Sequence, residues 1–67
     1  MKINFINQHV DGRQMVYTGN CDKGCFNLYH NDHGIYVELV DVLGKKLKDQ
    51  NDDMRDAIIE EFKSKIQ

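Results

Sequence analysis

Apolar side chains recur about every second residue in two early stretches of the chain and every three or four residues in its last stretch. A period of two belongs to a strand with one buried face, and a period near 3.6 to a helix with an apolar stripe. The first stretch, INFINQHVDGRQMVYT (residues 3–18), places Asp11-Gly12 between two runs of strand-forming residues, which predicts a β-hairpin. A two-residue loop at Asp11-Gly12 would pair Phe5 with Thr18 and Asn7 with Val16, mixing polar and apolar side chains on both faces. A type I turn with Gly12 in the left-handed position of a G1 bulge instead pairs His9 with Arg13 and Phe5 with Tyr17. Ile3, Phe5, Met15 and Tyr17 then share one face, so the bulged turn is the expected one.

The second stretch, CFNLYHNDHGIYVELV (residues 25–40), reads as another hairpin. With Asn31 to Gly34 as its loop, His30 pairs with Ile35, Leu28 with Val37 and Phe26 with Leu39. One face is then Phe26, Leu28, Ile35, Val37 and Leu39, with His30 at its edge. Cys25, Asn27, Tyr29, Tyr36, Glu38 and Val40 point the other way. The last stretch, NDDMRDAIIEEFKSKIQ (residues 51–67), places Met54, Ile58, Ile59, Phe62 and Ile66 within an arc of about 140°, wide enough to cover a sheet face. Asn51 or Asp52 is suited to cap this helix, its early acids Asp52, Asp53 and Asp56 match the positive end of the helix dipole, and Lys63 and Lys65 match the negative end. Between sheet and helix, VDVLGKKLKDQ (residues 40–50) is ambiguous: leucines at 39, 43 and 47 suit a helix, the valines suit a continuing strand, and Gly44 breaks either. The expected fold class is α+β: two antiparallel β-hairpins form a four-stranded sheet with one C-terminal amphipathic helix packed on one face, all in a single small domain spanning residues 1–67.

Composition sharpens this picture. A 40% hydrophobic and 30% charged content suits a folded chain, and 67 residues leave a net stability of only about 3–5 kcal/mol, which a partner chain or a second copy would raise. A formal net charge of −2 argues against binding to nucleic acid or an anionic membrane through an excess of basic residues. No stretch approaches the roughly 20 apolar residues of a membrane span, and none resembles a signal sequence, so a cytoplasmic protein is expected.

Four potential zinc ligands, Cys21, Cys25, His30 and His33, fall within thirteen residues in the order C-x3-C-x4-H-x2-H. Strand alternation opposes a site there, because Cys25 and His30 are an odd number of residues apart and face opposite sides of a strand. A buried thiol and two histidines near a turn account for the same residues. The C-x3-C spacing also lacks the two-residue gap of a redox pair. Asp49, Asn51, Asp53 and Glu60 match four positions of a calcium loop, but Met54 stands where that loop needs glycine. No P-loop, G-x-S-x-G or dinucleotide fingerprint is present, so no enzymatic activity and no cofactor are expected.

Surfaces remain. Asp49, Asp52, Asp53, Asp56 and Glu60 make the start and outer side of the helix acidic, and Tyr29 and Tyr36 are predicted outward from the sheet. Solvated, dipole-matched charges account for the acids taken singly; as a group they suit docking on a basic partner surface, and the tyrosines offer a second candidate surface for a protein partner. The expected function is a small non-catalytic regulator or inhibitor that occupies a partner protein's surface, with a homodimer as a further possibility. The alternative is a zinc-stabilised nucleic-acid-binding module using Lys23, Lys45, Lys46 and Lys48 with Tyr29 and Tyr36, and a redox-sensitive regulator ranks below both.

Overall fold

The computed structural model describes the backbone of residues 2–66 and the side chains of residues 2–65. Strands β1 (Ile3–Asp11), β2 (Gln14–Cys21), β3 (Gly24–Asn31) and β4 (Gly34–Val40) precede helix α1 (Asp52–Ile66). The strands form one antiparallel sheet in the order β1-β2-β3-β4, and α1 packs on one of its faces. This is the α+β arrangement that the two periods predict. The connections at residues 12–13, 22–23 and 32–33 recur every ten residues, so the sheet is a meander of three consecutive hairpins. Asp22-Lys23, which the sequence reading does not pick out, makes the middle turn.

The β3–β4 hairpin has the expected register, with His30 opposite Ile35, Leu28 opposite Val37 and Phe26 opposite Leu39. The first hairpin differs. Its loop is Gly12-Arg13, closed by Asp11 opposite Gln14, so that His9 pairs with Val16 rather than Arg13 and Phe5 with Gly19 rather than Tyr17. Gly12 has φ +64° and Arg13 no positive φ, which fits a tight turn that needs glycine only at its first loop position. The bulge lies within β1, where Ile6 is the extra residue between Phe5 and Asn7.

The bulge has a consequence for the core. It keeps Ile3 and Phe5 on the helix side with Tyr17, as expected, while Gln8 and Val10 fall in step with Tyr17 and Met15. Gly19 permits the close approach of the two strands: a Cβ there would stand 1.9 Å from the Asn4 carbonyl oxygen and 2.8 Å from Phe26 Cζ. Phe5 packs beside it, its ring centroid 5.2 Å from that of Phe26.

From α1, Met54, Ile58 and Phe62 are buried against Phe26, Leu28, Val37 and Leu39. The expected contribution of Ile66 lies outside the described side chains. Asn51 is the cap, accepting a hydrogen bond from the Met54 N–H at 2.8 Å. Asp52 pairs with Arg55 one turn on. No helix among the described residues is long and apolar enough to cross a membrane.

The ambiguous segment is neither helix nor continuing strand. Leu39 and Leu47 pack inward but Leu43 is 83% exposed, so the i, i+4, i+8 pattern does not mark one helical face. The Asp41 carboxylate accepts from the N–H groups of Leu43 and Lys45 at 2.8 and 2.9 Å, and Gly44 takes φ +88°. That turn returns the chain along β4, where the Leu47 N–H donates to the Leu39 carbonyl at 2.9 Å. Gln50 completes the seal: its Oε1 accepts from the Leu39 N–H at 2.7 Å and its Nε2 donates to the carbonyls of Leu39 and Leu47 at 2.7 and 2.8 Å. One side chain thus serves as a short extra strand.

Two stability predictions follow from this packing. Gly19→Ala forces a Cβ into backbone and should cost about 3 kcal/mol, most of the net stability, read as a much lower urea midpoint at 25 °C. Gln50→Ala strands the buried Leu39 N–H and should cost about 1–3 kcal/mol, read as a lower urea midpoint with an unchanged slope.

Candidate functional site

The sheet face opposite α1 is the candidate site. Alternation places Asn4, Asn7, His9 and Asp11 of β1 there, with Gln14, Val16, Thr18 and Asn20 of β2. β3 adds Cys25, Asn27, Tyr29 and Asn31, and β4 adds Tyr36, Glu38 and Val40. The register aligns these side chains in rows across the strands. One row runs His9, Val16, Tyr29, Tyr36, and the next Asn7, Thr18, Asn27, Glu38.

Amides dominate the face and bond one another, Asn4 Nδ2 to Asn20 Oδ1 at 3.0 Å and Asn31 Nδ2 to Gln14 Oε1 at 3.2 Å. Side-chain amides held in this way present fixed donors and acceptors without a net charge. No lysine or arginine occupies any of these positions; the acids are Asp11 and Glu38. Tyr29 and Tyr36 lie directly opposite each other and stack, with ring centroids 6.0 Å apart and planes inclined by 24°. Tyr36 is 48% exposed and Tyr29 half-buried, while Val16 beside them is buried. An aromatic platform thus stands on an amide-rich, hydrogen-bonding bed with Asp11 and Glu38 as its acids.

The Tyr29 phenol is held above its ordinary pKa of 10.0, first by burial and then by the Glu38 carboxylate, with the Asn27 side chain acting in the opposite direction. Tyr29 is therefore a neutral O–H at physiological pH.

The two candidate surfaces lie on opposite sides of the molecule. Tyr29 and Tyr36 come together on the outer sheet face. Asp49, Asp52, Asp53, Asp56 and Glu60 are all exposed, but they lie along and just before α1, on the other side of the sheet. A partner touching the tyrosines leaves these acids free. Tyr17 faces α1, its ring 4.7 Å from that of Phe62.

The four candidate zinc ligands do not converge. Cys25 is on the outer face and His30 on the helix face, its ring 5.4 Å from that of Phe62. At about 3.3 Å per strand residue the two stand roughly 17 Å apart along β3. Cys21 is at the β2–β3 turn and His33 at the opposite end of the sheet. Among the described residues no group of three or more His, Cys, Asp or Glu side chains is placed to hold a metal. The calcium-loop match dissolves as well, since Asn51 caps α1, Asp53 and Glu60 lie within it, and Met54 is in the core.

The sequence reading misses a feature at the end of the sheet. The first and third turns stand side by side and enclose a cleft of about 340 Å³ lined by Asp11, Arg13, Gln14, Asn31, Asp32 and His33. The ten-residue spacing of the turns is the signal that places them together. Cys25 is opposite Asn20 and Val40 in the sheet, so no histidine is its cross-strand neighbour.

The raised Tyr29 value fixes the direction of a pH effect. The native state holds the neutral phenol more tightly than the unfolded chain, whose tyrosines titrate near 10.0. This stabilisation is complete below that pH and is lost as pH rises through the higher native value. A ring-carbon NMR titration should find Tyr29 ionising above pH 10.0, and Glu38→Gln should lower its midpoint without removing the whole shift, because burial is the larger cause. Searches against protein-family models, curated proteins and solved structures find no match to this chain.

Proposed function

We propose that the protein is a small non-catalytic regulator or inhibitor that acts by occupying a partner protein's surface with its outer sheet face. The stacked, partly exposed pair Tyr29 and Tyr36 carries this reading. Tyrosines supply large contact area with little side-chain entropy to lose, and protein interfaces concentrate their binding energy on such residues. The sheet holds both rings in place before any partner arrives, which lowers the cost of binding. The surrounding Asn, Gln and Thr side chains supply the polar rim.

The acidic side of α1 serves a different purpose in this reading. It lies away from the tyrosines and supplies long-range attraction toward a basic partner, an effect that salt screens. The zinc-stabilised nucleic-acid alternative finds less support. Its tyrosines lie among strand positions that carry no lysine or arginine, while Lys23 is in the β2–β3 turn and Lys45, Lys46 and Lys48 belong to the segment after β4. A base stacked on Tyr29 and Tyr36 would put its phosphates near Asp11 and Glu38, where charge opposes them.

Site-specific photo-crosslinking in the native host tests the reading. A photoreactive residue in place of Tyr36 should join the chain to one discrete protein, whereas one in place of Asp56 should not. Tyr29→Ala with Tyr36→Ala should weaken binding of the purified partner by about tenfold or more. Crosslinks to nucleic acid alone, or a partner retained by the double variant, would sink the proposal.

A further inference from the structure

The two edges of the sheet are finished differently. β4 is covered at Leu39 by Gln50 and by the return of the chain at Leu47, whereas no strand or turn among the described residues pairs with the outer edge of β1. Open edges invite pairing with another strand, and they are commonly blunted by Lys, Pro or inward-pointing charge. β1 has none of these from Ile3 to Val10, and it leaves Ile6 60% and Val10 69% exposed.

The backbone of β1 decides what can pair there. In a two-residue hairpin the closing pair exchanges hydrogen bonds, so Asp11 points its N–H and C=O toward β2, and His9 and Asn7 follow by alternation. The turn at Asp22-Lys23 likewise commits Cys21 and Gly19 to β3, leaving Asn20 for Asn4. The outward backbone groups of β1 are therefore those of Ile3, Phe5, Gln8 and Val10. Alternation leaves these groups pointing away from β2, and no turn, loop or side chain among the described residues bonds to them. The bulge packs Ile6 and Asn7 into one step, since Phe5 and Gln8 oppose Gly19 and Tyr17 on an unbulged strand. The four free positions are thus evenly stepped, and in sequence they are symmetric about the Ile6–Asn7 bond.

We infer that β1 is the interface of a homodimer in which two copies pair their β1 strands antiparallel about a twofold axis at Ile6–Asn7. Ile3 of each copy then opposes Val10 of the other, and Phe5 opposes Gln8, so that all four free positions bond at once. The side chains agree with this register. Ile3, Phe5, Gln8 and Val10 all point to the helix side, and Asn4 and His9, which also come opposite, both point to the outer side. The exposed Val10 gains an apolar neighbour in Ile3, and the two Ile6 side chains approach each other across the axis. At each end Lys2 of one copy meets Asp11 of the other, an opposite-charge pair on the same face. The bulge makes this agreement possible: without the extra residue, opposed positions in this register would point to opposite faces. The product is an eight-stranded sheet with both helices on one side and both tyrosine pairs on the other, a closed isologous dimer.

Sedimentation equilibrium of the whole protein over increasing concentration tests the inference, together with amide hydrogen exchange. A monomer–dimer equilibrium is expected, in the micromolar range because the interface is small. The amides of Ile3, Phe5, Gln8 and Val10 should gain protection as concentration rises, while those of Ile35 and Val37 on β4 should not. Gln8→Pro removes a free donor at a position where an edge strand tolerates proline, so it should leave the circular dichroism spectrum intact and weaken the dimer by about a hundredfold. Lys2→Glu should weaken it severalfold, and adding Asp11→Lys should restore it. A protein that stays monomeric to millimolar concentration overturns the inference. So does a dimer that survives Gln8→Pro, or concentration-dependent protection confined to β4.

Discussion

The structure depends on the insertion of Phe62 between helix and sheet. The backbone of α1 runs nearest β4, at one side of the sheet, and Met54 and Ile58 pack there with Leu28, Val37 and Leu39. Phe62 reaches across to the other strands, with ring centroids 6.2 Å from Phe5 on β1, 4.7 Å from Tyr17 on β2 and 5.4 Å from His30 on β3. Without that ring the helix would cover half a sheet. A core with so few fully buried side chains has little reserve, and an aromatic residue buries more surface than any aliphatic one.

The shape of β1 follows from the same requirement. Phe5 has to meet Phe62 and Phe26 on the helix side, and Gly19 opposite it has no side chain to compete for that space. The bulge at Ile6 lets the strand satisfy this contact at one end and a tight Gly12-Arg13 turn at the other. An interior packing demand thus sets the pattern of the exposed edge. At the far edge the chain solves a different problem, since the amide of Gln50 supplies both the donor and the acceptor that a neighbouring strand would offer Leu39.

The outer face is organised by the meander. Consecutive hairpins bring one position from each strand into a row, and this collects seven Asn, Gln and Thr side chains with Tyr29 and Tyr36 on one surface. The acids of α1 end on the opposite surface because the helix turns its apolar stripe to the sheet. Such a molecule has two chemically distinct sides, one rich in amides and aromatic, the other lined by the acids of α1. Steering and anchoring can therefore be contributed by separate surfaces.

The alternation of Phe26, Leu28, Ile35, Val37 and Leu39, the Asn-Asp-His-Gly turn between them and the helical spacing of Met54, Ile58 and Phe62 were legible in the sequence, because each is a local period with one apolar face to bury. The separation of Cys25 from His30 was legible for the same reason. The register of β1, the place of the bulge and the role of Gln50 were not. Those depend on contacts between residues distant in the chain: Phe5 with Gly19 and Phe62, and Gln50 with Leu39. Periodicity determined which elements form and which faces they bury. Only the packed structure decided where two strands slip by one residue and which edge is sealed, because both rest on contacts between residues far apart in the chain.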